Sequence, residues 1–286
     1  MSYKIITDTC CDFPAQMYEE LDLQAVHLNL RFREQEHADI SEEFFKDVYA
    51  GLRAGEKATT SAVNPTGWQE YMEPVLAAGE DLLVIAFSSG LSTTYQSAVI
   101  AAEELSEKYP DRKIRVVDSL CASMGQGLFV WYACQKRNAG LTLEELYTWC
   151  EESKLNLCHW FTVDDLMYLK RGGRIGAATA VLGTMLQIKP VLHVDDQGKL
   201  VSVGKARGRK ASLDALAKKV AETGFAGQND TMFISHGDCL EDAKYLEKQL
   251  KEKYGAKNVI ISYVGGVIGS HSGPGTVALF FLGTHR

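Results

Sequence analysis

Several signatures that would assign a chain to a class at once are missing here. There are seven cysteines (Cys10, Cys11, Cys121, Cys134, Cys150, Cys158 and Cys239), an odd number with no CxxC spacing. In a chain of 286 residues this argues against a disulfide scaffold and against a structural zinc site. Most of these thiols are expected to be buried and free. No apolar run reaches the ~18 residues that cross a bilayer. No signal-peptide pattern precedes the strand-like Tyr3-Lys4-Ile5-Ile6-Thr7. The expected location is therefore the cytoplasm, with at most transient membrane contact. Basic residues are in the minority, 30 Lys and Arg against 37 Asp and Glu, for a formal net charge of -7. Such a surface repels phosphate backbones, so no nucleic-acid partner is expected.

Nucleotide and hydrolase motifs are also lacking. Gly198-Lys199 is followed by Leu200, which is not a Walker A end. Gly90-Leu91-Ser92 runs into Thr93-Thr94 and does not complete GxSxG. No HExxH occurs, and Asp164-Asp165 reads as the acidic start of a helix more readily than as a metal site. Gly273-Pro274-Gly275-Thr276-Val277-Ala278 spells GxGxxA, but Pro274 sits inside it and no acidic residue follows ~20 positions on. No cofactor and no metal are expected.

What the sequence does contain is an alternation of buried strands and amphipathic helices. Lys4–Thr7, Leu82–Phe87, Ile114–Val117, Met232–Ser235 and Val259–Val264 read as strands. Thr66-Gly67-Trp68-Gln69 and Thr142-Leu143-Glu144-Glu145 both fit a helix-starting capping box. Further helices are expected near Glu42–Arg53, Thr94–Lys108, Ala122–Asn138, Ser212–Thr223 and Leu240–Tyr254. Asp195-Asp196-Gln197-Gly198 reads as a hairpin turn. The expected class is α/β, with two domains of mostly parallel sheets flanked by helices. The expected units are residues 1–157, with hydroxyl-rich ligand loops, and 158–286, with the GGRIG and HSGPG loops.

Four segments sit where strands end or helices begin, the positions that gather ligands in open α/β sheets. Thr59-Thr60-Ser61 precedes one helix, and Ser88-Ser89-Gly90-Leu91-Ser92-Thr93-Thr94-Tyr95 follows the strand Leu82–Phe87. Helix N-termini offer free N–H groups and partial positive charge, and hydroxyls add uncharged donors. A single hydroxyl there usually caps the helix, but one helix does not need five. Lys170-Arg171-Gly172-Gly173-Arg174-Ile175-Gly176 is either a solvated turn or a contact for a carboxylate, phosphate or partner. Gly265-Gly266-Val267-Ile268-Gly269-Ser270-His271-Ser272-Gly273-Pro274-Gly275-Thr276 places His271 among glycines and serines after a buried strand.

Together these segments resemble the DegV family, whose members are fatty-acid-binding proteins. Several serve as the lipid-presenting subunit of bacterial fatty acid kinase. The resemblance covers the whole chain. It rests on Thr7-Asp8, Thr60-Ser61, Ser88-Ser89-Gly90-Leu91-Ser92-x-Thr94-Tyr95, Val117-Asp118-Ser119, Gly172-Gly173-Arg174-Ile175, Lys189-Pro190 and His271-Ser272-Gly273-Pro274-Gly275-Thr276. Ala62-Val63 and Thr93 depart from the family's usual Gln-Pro and glycine. The resemblance implies a non-catalytic subunit that holds a long-chain fatty acid. Thr60 or Ser61, Ser92, His271 and the Gly266 turn would form the head-group site. Arg174 would face a kinase catalytic subunit.

Elementary energetics permit this. At roughly 0.8 kcal/mol per methylene, ~15 buried methylenes give on the order of 12 kcal/mol before association costs. No salt bridge to the head is needed, and the carboxylate must stay reachable for phosphoryl transfer by a partner that brings ATP and magnesium. Two other readings of the same residues are open. One is a binder of phosphate or a sugar phosphate through the Arg171/Arg174 turn. The other is an acyl hydrolase with Ser92 as nucleophile and His271 as base, although the sequence shows no orienting acid.

Overall fold

The run Leu82-Leu83-Val84-Ile85-Ala86 is apolar without alternation, which suits a strand covered on both faces. The computed structural model describes residues 2–38, 40–176 and 187–286. Its first sheet comprises β1 (Tyr3–Asp8), β2 (Gln24–Val26), β6 (Asp81–Ala86) and β7 (Ile114–Asp118) in the order β2-β1-β6-β7. All its pairings are parallel, and β6 is buried at every position. Helices α3 (Pro65–Ala77) and α4 (Thr94–Lys108) cover one face with Trp68, Met72, Ala98 and Leu105.

The second sheet is mixed. It comprises β8 (Leu157–Thr162), β9 (Ile188–Val194), β10 (Leu200–Arg207), β11 (Thr231–His236), β12 (Asn258–Tyr263) and β13 (Val277–Leu282), in the order β10-β9-β8-β13-β11-β12. Only β11 and β12 pair in parallel among these neighbours. The α/β class therefore stands, while the expected parallel arrangement holds for the first sheet and not for the second. Two of the four antiparallel pairings are made by β9, with β8 and with β10, and the other two by β13, a strand that the sequence patterns above do not include. It enters between β8 and β11 antiparallel to both. A strand buried on both faces reads the same in either direction, so its apolar run carried no sign of orientation. The expected hairpin is present between β9 and β10. Asp195 Oδ1 accepts from the N–H groups of Gln197 and Lys199, each at 2.9 Å, and Gly198 supplies φ 71°.

A small antiparallel sheet, β3 (Asn29–Phe32), β4 (Gln35–His37) and β5 (Ala58–Ser61), has the order β4-β3-β5. Thr60 and Ser61 thus lie on a strand rather than in a loop. The capping box at Thr142 forms as expected at the start of α6 (Leu143–Ser153). The one at Thr66 does not. Asn64 caps α3 through Gly67 N at 2.8 Å, because Pro65 has the φ and the missing donor that suit the first helical position. Asp165 caps α7 (Leu166–Arg171) through Met167 N, as its acidic pair foretold.

Helix α5 (Met124–Asn138) joins the two sheets. Leu128, Phe129 and Val130 share one core cluster with Ile5, Leu83 and Ile85 of the first sheet and Phe161, Phe233 and Phe280 of the second. The second sheet's other face is packed by α8 (Arg209–Thr223) and α9 (Leu240–Tyr254) through Leu213, Leu216, Leu246 and Leu250. A short helix, α10 (Gly266–Ser272), follows β12 and lies against α2 (Glu42–Arg53) and α7. Six of the seven cysteines are buried, and all are free thiols. Among the described residues no helix is long and apolar enough to cross a membrane.

Candidate ligand-binding site

Chain segments leaving β2, β5, β6 and β7 meet the segment between β12 and β13 around one cavity of about 440 Å³. That is the size range of small-molecule sites. The open part carries Thr60, Ser61, Ser89, Ser92, Thr93, Arg174 and His271. Ser61 and Thr93 are exposed and the other five half-buried. Inward, the wall turns apolar with Leu28, Phe87, Phe161, Leu169, Val194 and Phe280, all buried. A hydroxyl-lined mouth over a largely apolar interior is the polarity pattern of an amphiphile with a polar head.

The central contact at the mouth joins residues 211 positions apart: Thr60 Oγ1 lies 2.8 Å from His271 Nε2. Strand pairing of Thr60 with Leu30 and the tight α10 helix fix the two sides of this contact. Burial, and then the charge of Arg174, push the His271 pKa down to about 4, so the imidazole is neutral at physiological pH. Ser92 Oγ lies 2.9 Å from Thr94 Oγ1 and accepts from Thr94 N at 3.2 Å, which tightens the entry to α4. Ser88 Oγ donates to Gly198 O at 2.8 Å and serves the fold. The serine-rich loop is therefore part cap and part ligand wall, with Ser89, Ser92 and Thr93 facing the cavity.

Arg174 is folded onto that loop. Its Nε and Nη2 donate to Leu91 O at 3.2 and 3.1 Å, and Nη1 donates to Gly172 O. Among the described residues it has no carboxylate partner. The mouth thus holds one permanent positive charge beside a neutral imidazole and several hydroxyls. Such a set has the charge and the donors to hold an anion without engulfing it.

The structure gathers Thr60, Ser61, Ser92, His271 and Arg174, but Gly266 stands apart. It is absent from the cavity wall and lines a smaller neighbouring pocket with Leu30 and Asp12. A Cβ on Gly266 would come within 2.8 Å of Leu30 Cδ2, so the glycine lets α10 pack closely on β3. A hydrolase arrangement is not assembled. Ser92 bonds to Thr94 rather than to His271, and the Nδ1 side of His271 is packed against Gly172, where a Cβ would sit 2.3 Å away. No carboxylate orients the ring among the described residues, and a pKa near 4 makes a poor general base at neutral pH.

Sequence reasoning missed a second polar group at the buried part of the cavity, formed by Ser123, His159, Ser235, Ser272 and Thr276. Behind it Asp12 accepts from the Ser123 hydroxyl, and Ser123 Oγ lies 2.9 Å from Ser235 Oγ. Burial pushes the Asp12 pKa up to about 8, against the opposing hydrogen bonds from Ser123 and Gly265 N. Ser272 and Thr276 stood inside the glycine-rich segment already singled out. Asp12, Ser123 and Ser235 had no local motif to mark them.

Fold and site together define an α/β protein with a hydroxyl-mouthed, largely apolar cavity. The chain belongs to the DegV family: the family described as "Uncharacterised protein, DegV family" matches residues 2–284. A DegV domain-containing protein of Clostridium perfringens is 45% identical over 283 residues, covering 98% of this chain and 97% of that one. A DegV family protein from Thermus thermophilus, described by its fatty acid binding, superposes with a TM-score of 0.89. It is 29% identical, and the match covers 99% of this chain and 100% of that one. The fatty acid kinase B3 protein of Streptococcus pneumoniae, loaded with linoleic acid, has the same fold. Its TM-score is 0.85 at 21% identity, covering 99% of each chain.

Proposed function

We propose that this protein binds a long-chain fatty acid, with the chain in the cavity and the carboxylate at the Thr60, Ser92 and His271 mouth, and presents that carboxylate to a partner kinase. The observation that carries the reading is the polarity of the cavity: half-buried hydroxyls and a neutral imidazole at the opening, and buried aromatic and aliphatic walls behind. Burial of methylenes supplies the affinity, at roughly 0.8 kcal/mol each. Hydroxyls and Arg174 then orient the head while one oxygen stays reachable. The fatty acid binding of the Thermus thermophilus protein supports the ligand class. The resemblance to the lipid-presenting subunits, and the fold shared with the fatty acid kinase B3 protein, support the partner. Arg174 lies at the mouth, where a docking kinase would meet it.

The test is a calorimetric titration of delipidated protein with palmitate and, separately, with inorganic phosphate. Saturable palmitate binding at one site, with no phosphate binding, is the expected result. Phosphate binding without palmitate binding overturns the reading and favours the small-anion alternative. Hydroxylamine trapping of acyl phosphate tests presentation. Product is expected only when ATP, magnesium and a fatty acid kinase catalytic subunit are added together. An Arg174→Gln variant should lose more of that product than of palmitate affinity.

A further inference from the structure

A plain hydrocarbon tail needs no polar partner beyond the mouth, yet this cavity has several. Ser123, Ser235 and Ser272 line it and are 5%, 0% and 5% exposed. Polar groups in an apolar wall cost free energy unless something satisfies them. Ser123 and Ser235 satisfy each other and Asp12. The Ser272 hydroxyl is buried and has no partner among the described residues. The backbone is also held in an uncommon form on both sides of the key contact. Asp12 has φ 52° and Ser123 has φ 54°, left-handed values that residues other than glycine adopt only when their surroundings enforce them. The result is a Ser123 hydroxyl fixed between Asp12 and Ser235.

Resting on the fatty-acid reading, we propose that Ser235 and Ser272, backed by Ser123 and Asp12, form a second polar subsite that selects acyl chains carrying a hydroxyl or oxo group along the chain. Proton counting shows what the subsite can offer. Each serine hydroxyl has one proton and two lone pairs. With Asp12 ionised, Ser123 donates to it, Ser235 donates to Ser123, and Ser235 is left to accept from a ligand hydroxyl. With Asp12 protonated, which its raised pKa of about 8 favours at neutral pH, the relay reverses. Asp12 donates to Ser123, Ser123 to Ser235, and Ser235 to a ligand oxygen. Ser272 adds a further donor or acceptor. The pair suits a hydroxyl, which both gives and accepts, and in the protonated state an oxo group. A wholly saturated tail leaves the Ser272 hydroxyl unpaired.

The experiment compares stearic acid with a positional series of monohydroxystearic and oxostearic acids by displacement of a fluorescent fatty acid from delipidated full-length protein. One position, or a narrow run of positions, is expected to bind about tenfold more tightly than stearic acid. The ratio should fall to one or below in Ser235→Ala and in Ser272→Ala, with thermal melting confirming that each variant folds. Mass spectrometry of co-purified lipid gives an independent reading, in which oxygenated acids are enriched over their share in the host's lipids. Stearic acid binding more tightly than every oxygenated acid would overturn the subsite and leave the fatty-acid reading intact. So would a preference that survives both alanine variants. Failure of stearic and oxygenated acids alike would instead remove the fatty-acid reading itself, and the subsite with it.

Discussion

Replacing Thr60 by Val tests the mouth with little other change. The two side chains are nearly the same size and both are β-branched, so the strand β5 should be kept. What goes is the hydroxyl 2.8 Å from His271 Nε2. If that hydroxyl also bonds a bound carboxylate, its loss removes a hydrogen bond to a charged group, worth about 1.5–3 kcal/mol. The dissociation constant for palmitate should then rise roughly 10- to 150-fold. His271 also loses its partner, which should cost about 1 kcal/mol of fold stability or less, since the ring is only half-buried. Calorimetric titration with palmitate, beside thermal melting of the apo protein, separates the two effects. Wild-type affinity in a variant that folds normally would refute the placement of the head group at Thr60 and His271.

Three further outcomes are expected. Across saturated acids of increasing length, affinity should climb roughly fourfold per methylene, from ~0.8 kcal/mol each, until the cavity is full; affinity independent of length would contradict burial of the tail. Asp12 has a folded pKa raised to about 8 by burial, so folding favours its protonated form. Its contribution is complete below the ordinary carboxyl pKa near 4 and is lost as pH rises through 8, at up to about 1.4 kcal/mol per pH unit. Wild type should therefore lose stability relative to Asp12→Asn between pH 4 and 8 in chemical denaturation, and parallel curves would show that Asp12 ionises normally. Gly125→Ala puts a Cβ 2.1 Å from His159 Nε2 and 2.7 Å from Phe280 Cδ1, both cavity-wall residues. It should cost about 1–3 kcal/mol and lower the melting temperature, and an unchanged melting curve would show that this wall yields.

Local signals in the sequence held up where the physics is local. The Thr142–Glu145 box, the Asp165 cap, the turn at Asp195 and the buried run of β6 each depend on neighbours a few residues apart, and each is formed. The Thr66 box lost to Asn64 because Pro65 fixes the helix start two residues earlier. The mouth of the cavity was legible for a related reason: hydroxyls clustered at a strand end need more explanation than one cap supplies. Thr60 lies on an edge strand and not in a loop, and Thr-Thr-Ser alone does not reveal that β3 lies beside it. The buried polar group of the cavity had no such local signal. Asp12 and Ser123 are 111 positions apart, Ser123 and Ser235 a further 112, and each has an ordinary local role as turn, helix start or strand end. Only the antiparallel entry of β13 beside β11, which the sequence did not disclose, brings Ala278 beside Ser235 and closes the wall.

The most direct test of fatty-acid binding is mass spectrometry of an organic extract of the purified protein, set beside Ser92→Ala and His271→Ala variants. About one equivalent of a long-chain fatty acid in the wild type, reduced in both variants, is the predicted result. A clean extract, followed by no palmitate binding on titration, would contradict it.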